Sequence, residues 1–270
     1  MERDLESYQP APIEIKEGVN RKIFMCVQLD PEEIKDQEIF RKYASDNSIP
    51  LPSWYIAYRV TGDQRYDLKF MCSMKRDVKK AIDMMNMYSS WLLTMPVLED
   101  EVISYLRQGV IYPCGRSITY NPIIVVNVRK IIDSKMDLEA LLRLNYFTLN
   151  WVIDNMLVPG KVESWYIIQD LKDVGLSSIP GNMMKTMSER LSVYFSLRLG
   201  KCFTINVPLA IKAFWNMTKI FIDKETRKKI FIQRKGWEKL LSQFITPENL
   251  ERKYGGAQDN REGEFYPFRV

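Results

Sequence analysis

The sequence predicts an α/β protein, with a mostly parallel sheet and flanking helices preceded by a small all-helical module. Three observations carry this. Four short runs, IIVVNV (123–128), SWYIIQDL (164–171), KCFTINV (201–207) and KKIFI (228–232), are apolar on both faces, as strands covered on both sides must be. Longer stretches of helical spacing separate them, which suits crossovers between parallel strands. From about Pro31 to Gln108 the spacing is helical instead. It is clearest in VKKAIDMMNMYSSWLL, where Val78, Ile82, Met85, Tyr88 with Ser89, and Leu92 recur at threes and fours.

In chain order, residues 1–30 read as an N-terminal extension, 31–108 as the helical module, 109–256 as the α/β domain and 257–270 as a polar C-terminal tail of uncertain order. The start, MERDLES, is acidic rather than a secretory leader, and no run approaches the roughly eighteen apolar residues of a membrane span, so a cytoplasmic protein is expected. Glu99 with Asp100 reads as a helix N-terminus. Four scattered cysteines, Cys26, Cys72, Cys114 and Cys202, form no CxxC pair and are expected as reduced, small core residues.

The chain has no histidine, which excludes Ser-His-Asp triads, Cys-His pairs and histidine-ligated metals. Carboxylate, lysine or tyrosine schemes remain for an enzyme, but no phosphate-cradling or dinucleotide glycine motif accompanies them. The expectation is a protein that is not an enzyme and holds neither cofactor nor metal.

Positive charge is concentrated late in the chain. Between Lys219 and Lys239, eight basic residues stand against three acidic ones, an excess equal to the +5 of the whole protein. Such a patch suits an anionic membrane surface, where each Lys or Arg is worth ~1 kcal/mol, or nucleic acid. Nucleic acid is not expected, because Phe221, Phe231 and Trp237 read as buried or membrane-directed rather than as exposed stacking platforms. The preceding stretch, VPLAIKAFWNMTKIFID (207–223), reads as a helix with one polar stripe, Lys212, Asn216, Lys219 and Asp223. Apolar residues wrap the rest, as in a core helix or a helix closing an apolar cavity.

The ordered series DLKDVGLSSI (170–179), RLGKCFTINVP (198–208), FIDKETRKKIFI (221–232) and ITPENLERKYGG (245–256) resembles the lipid-binding CRAL-TRIO domain, phosphatidylinositol-transfer branch. The resemblance runs from about Asn121 to Gly256, and more loosely over the helical segment 66–91. It implies a lipid cavity over the sheet, with a gate helix at 208–222 whose Leu209, Phe214, Trp215, Met217 and Phe221 face the acyl chains. About 30 methylenes of a diacyl lipid at ~0.8 kcal/mol each make water a costly alternative, on the order of 20 kcal/mol, so a carrier must enclose them.

The resemblance further implies that Thr226 and Lys229, with Lys75 from KFMCSMKRD, bind the phosphate of the lipid headgroup. Thr226 and Lys229 are three apart, so one turn can aim a hydroxyl and an ammonium at one anion. Lys224, Arg227 and Lys228 then form a membrane-docking patch. The sequence departs from the branch at three pocket candidates. Trp165 and Ile167 stand where a choline-lipid carrier has hydroxyl residues, and Leu197 stands where a glutamate pairs near the phosphate-binding lysine. The implied partners are a phospholipid, an anionic membrane touched transiently and, as a candidate, a phosphoinositide kinase. The alternative is a carrier or sensor of a sterol-like or isoprenoid ligand.

Overall fold

The structure, a computed structural model, describes residues 2–53, 65–93, 99–175, 181–209, 215, 219–222 and 224–269. The chain divides into two compact units. One comprises Met1–Met95, Val158–Glu163 and Leu191–Arg198; the other comprises Pro96–Leu157, Ser164–Arg190 and Leu199–Val270.

In the first unit, helix α1 (Pro31–Asp46) begins where its sequence instructs. Pro31 occupies the first turn, and the Asp30 carboxylate accepts from Glu33 N at 3.0 Å while Asp30 N donates to Glu33 Oε2 at 3.1 Å. This reciprocal box satisfies donors the helix leaves open. Helices α2 (Tyr66–Ser73) and α3 (Val78–Leu93) complete the group. Their apolar faces meet α1 in a core of Phe40, Ala44, Phe70, Met71, Ala81, Ile82, Met84 and Met85. Asp67, almost fully buried, accepts from Gln37 Nε2 at 2.8 Å and pairs with Arg41 Nη2 at 2.8 Å, which fixes α2 on α1.

In the second unit, α4 (Asp100–Arg107) begins at Glu99 and Asp100, as the acidic pair predicts, although the Glu99 side chain makes no capping bond. The sheet contains β1 (Ile111–Arg116), β2 (Pro122–Asn127), β3 (Trp165–Asp170), β4 (Leu199–Ile205) and β5 (Ile230–Ile232), in that spatial order. Strands β2 to β5 are parallel, and β1 is antiparallel to β2. Thus the mostly parallel α/β class holds, and the four apolar runs are its four parallel strands. Strand β1 was not expected. Pro113 and Gly115 break its alternation, and its register shifts between Pro113 and Arg116. Helices α5 (Val128–Ser134) and α6 (Leu138–Met156) follow β2, each starting on a side-chain cap, Asn127 and Asp137.

The end of the chain is not a loose tail. Phe265 and Phe268 are buried, Phe265 against Tyr112 with ring centroids 4.8 Å apart and Phe268 against Trp151 at 5.0 Å. Gly109 makes this possible: at φ +69° a Cβ there would lie 2.6 Å from the Phe265 ring. The buried Glu251 carboxylate accepts from Tyr112 Oη at 2.6 Å and Arg261 N at 2.7 Å, which holds the start of the segment.

Candidate functional site

Side-chain alternation along the sheet separates two faces. On one, Ile123, Val125, Tyr166, Ile168, Phe203 and Ile205 are buried, and an aromatic cluster joins Tyr166, Phe203, Phe231 and Phe244. The opposite face is less fully covered. Its first row, read across the register, is Ile124, Ile167, Cys202 and Ile230; the second is Val126, Gln169, Thr204 and Ile232. Val126, Ile167, Gln169, Ile230 and Ile232 are only half-buried. Half-buried aliphatic side chains on β2, β3 and β5, with the buried Cys202 and Thr204 of β4 between the last two, form an apolar floor for hydrocarbon.

The basic turn lies immediately before β5. Lys224–Arg227 form one helical turn, closed by Lys228 N donating to Glu225 O at 3.2 Å and Lys229 N to Thr226 O at 3.0 Å. This brings Thr226 and Lys229 together, both half-buried. The Lys229 ammonium donates to Leu199 O at 2.8 Å, so a backbone carbonyl stands where the resemblance would supply a carboxylate. Lys224, Arg227 and Lys228 are exposed; Lys228 pairs with Glu225 at 2.9 Å, and Arg227 Nε donates to Ile222 O at 2.7 Å.

Of the expected gate residues, Leu209 is 78% exposed, Trp215 is half-buried and helical, and Phe221 ends a short 3₁₀ turn, Lys219–Phe221. Phe214 and Met217 lie outside the described residues. Trp165 is buried at the start of β3, and alternation places it and Ile167 on the half-covered face. Leu197 is half-buried with a left-handed backbone, φ +59°.

Lys75 belongs to the first unit, exposed, in a turn where both it and Arg76 have positive φ. Arg76 holds that turn to α1 through Asp36 at 2.8 Å and Glu32 at 3.1 Å. Sequence reasoning missed a buried cation in the same unit. Lys69 is 8% exposed, with its ammonium 5.5 Å from the Phe24 ring. Burial pushes its amine well below the ordinary lysine range; the nearby Arg198 guanidinium acts in the same direction and Glu163 opposes both. The Glu163 carboxylate is committed to the backbone N–H groups of Phe24 and Met25, at 3.1 and 2.7 Å, while Arg198 Nη1 donates to Glu163 O at 2.9 Å. A cavity of about 10 Å³, room for one water, lies among Phe24, Met25, Arg65, Tyr66, Lys69 and Glu163.

Among the described residues no cluster of acidic and cysteine side chains could hold a metal, and no helix is long and apolar enough to cross a membrane. Cys114 and Cys202 are the small buried thiols expected of them, Cys72 is half-buried, and Cys26 departs from the expectation by being exposed.

The structure is thus an α/β domain whose mostly parallel sheet has one filled and one half-covered apolar face, with a basic turn immediately before its edge strand. The family model of the CRAL/TRIO domain matches residues 106–256, and the chain belongs to that family. The Sec14 cytosolic factor of Schizosaccharomyces pombe is 34% identical over 99 residues, which cover 36% of this chain and 35% of that protein. The SEC14 cytosolic factor of Yarrowia lipolytica is 28% identical over 220 residues, 73% of this chain and 44% of that protein. The chain therefore matches less than half the length of either relative. The crystal structure of Sfh5 superposes with a TM-score of 0.65 over 90% of this chain and 95% of that one, at 15% identity, a likeness of fold.

Proposed function

We propose that this protein binds one phospholipid, phosphatidylinositol, with its acyl chains on the half-covered face of the sheet, and transfers it between membranes or presents it there. The observation that carries this reading is the pairing of an apolar floor with a turn that brings Thr226 and Lys229 together immediately before its edge strand. The chemistry is complementary: aliphatic surface for hydrocarbon, and a charge-assisted donor set for a phosphate monoanion.

The exposed Lys224, Arg227 and Lys228, with the exposed Leu209 and Ile220 at either end of the gate segment, suit transient docking on an anionic bilayer. The protein then works from the cytoplasm as a carrier with no chemistry of its own, and a phosphoinositide kinase is a candidate recipient. The domain limits that go with this reading are a helical module over 31–108 and a lipid-binding domain over 109–256.

A second reading, a sterol-like or isoprenoid ligand, draws on Trp165 and Ile167, which set apolar side chains on the pocket face. Vesicle transfer assays with phosphatidylinositol, phosphatidylcholine and a sterol separate the readings. Phosphatidylinositol transfer that falls in Lys229→Ala supports the first; sterol transfer alone replaces it with the second.

A further inference from the structure

The half-covered face carries a polar pair. Gln169 and Thr204 stand opposite each other across β3 and β4, and Thr204 Oγ1 donates to Gln169 Oε1 at 3.1 Å. Thr204 is 4% exposed, while Gln169 is half-buried between Val126 on one side and Thr204 on the other, with Ile167 two residues before it on the strand. A carboxamide has two N–H donors, and whichever way its ends are oriented Thr204 can engage no more than one. At least one N–H is therefore left over by Thr204, with Val126 beside it and Ile167 before it on the strand. Once a ligand covers the half-buried amide, that donor is costly unless something accepts from it, and a wholly hydrocarbon ligand could not.

We infer that Gln169 is a specificity residue of the pocket, donating to the ester carbonyl oxygen of a diacyl lipid while Thr204 holds the carboxamide in place. The inference rests on the proposal that this face is a lipid floor. A lipid's ester groups lie where headgroup and hydrocarbon meet, and they are the strong acceptors at that depth of the molecule. The donor in the floor then fixes how far the acyl chains slide across the sheet, and the contact is independent of the headgroup.

The test varies linkage and headgroup separately. Transfer between vesicles is measured for diacyl and dialkyl-ether forms of both phosphatidylinositol and phosphatidylcholine, with the full-length wild type, Gln169→Met and Thr204→Val. Wild type should favour the diacyl form of whichever headgroup it carries by about fivefold, the value of one neutral hydrogen bond, and Gln169→Met should bring the ratio close to one. Thr204→Val, which frees the carboxamide to swing, should reduce the ratio partially. Circular dichroism melting of each variant confirms folding, and Gln169→Leu stands in if Gln169→Met fails to fold. Equal transfer of diacyl and dialkyl lipids by wild type, or a ratio that survives loss of the carboxamide, overturns the inference. Linkage discrimination reports on the floor and headgroup discrimination reports on the turn: a diacyl preference shared equally by both headgroups keeps Gln169 in its role while removing the phosphatidylinositol reading.

Discussion

The Lys229 ammonium is tied to the Leu199 carbonyl at 2.8 Å, and the Lys229 carbonyl accepts from Cys202 N at 2.9 Å. Side chain and backbone of one residue thus both grip β4. The bond to a carbonyl compensates some of the desolvation of the charge and holds the ammonium in place one turn from Thr226. That is a useful arrangement for meeting an anion, because little side-chain freedom remains to be lost on binding.

Removing this cation should therefore affect binding more than folding. Lys229→Ala is expected to lower phosphatidylinositol transfer by ~10- to 100-fold, one charge-assisted bond being worth ~1.5–3 kcal/mol, and Thr226→Ala by a smaller factor. The melting temperature of the lipid-free protein should change by only a few degrees. Transfer assays beside thermal melts check both statements, and a Lys229→Ala protein that transfers normally would show that the turn merely caps β5.

Docking depends on different residues. Reversing Lys224 and Lys228 to Glu should weaken cosedimentation with vesicles containing anionic lipid at ~0.1 M salt, where the Debye length is ~10 Å, and should matter less as salt rises. Because both residues are exposed, and Lys228 loses only a solvent-facing pair with Glu225, the fold should tolerate the change. Undiminished binding to acidic vesicles would locate the docking surface elsewhere.

Much of the fold was legible because its strongest signals are local. The four parallel strands announce themselves as runs apolar on both faces, and Thr226 with Lys229 share a turn that needs only three residues of chain. What was missed depends on distant partners. Strand β1 conceals itself behind Pro113 and Gly115. Phe265 and Phe268 sit in a largely polar and charged closing stretch, and residues more than a hundred positions away, Gly109, Tyr112 and Trp151 among them, make them core. Lys69 reads as one more basic residue until Phe24 and Arg198 bury it. Gln169 could have been noticed as the lone amide in an apolar strand, but its meaning needed the β3–β4 register.

Lys69 makes a pH-dependent prediction. Burial lowers its amine in the folded protein, whereas the unfolded chain titrates near the ordinary 10.5, so below that value the unfolded state binds more protons. The cost is full below the folded-state pKa and is relieved as pH rises toward the unfolded one. Lys69→Met should accordingly be more stable than wild type at pH 7, and the gap should narrow as pH approaches ~10. Urea unfolding at several pH values checks this; two curves that run parallel across the range would mean that the folded protein carries a charged Lys69.

The closing segment should behave as core. Phe265→Ala leaves a hole between Gly109 and Tyr112 and is expected to cost ~3 kcal/mol or more, measured by denaturant unfolding. A change below ~1 kcal/mol would show that this segment adds little to the second unit's stability.

The central claim is that the half-covered face of the sheet holds a phospholipid whose phosphate meets Thr226 and Lys229. Mass analysis of lipid extracted from natively purified protein tests it most directly. Wild type should yield phosphatidylinositol at close to one molecule per chain, and Lys229→Ala should yield much less while remaining folded. A sterol-like or isoprenoid molecule in its place, or phosphatidylinositol retained in full by Lys229→Ala, would contradict the account.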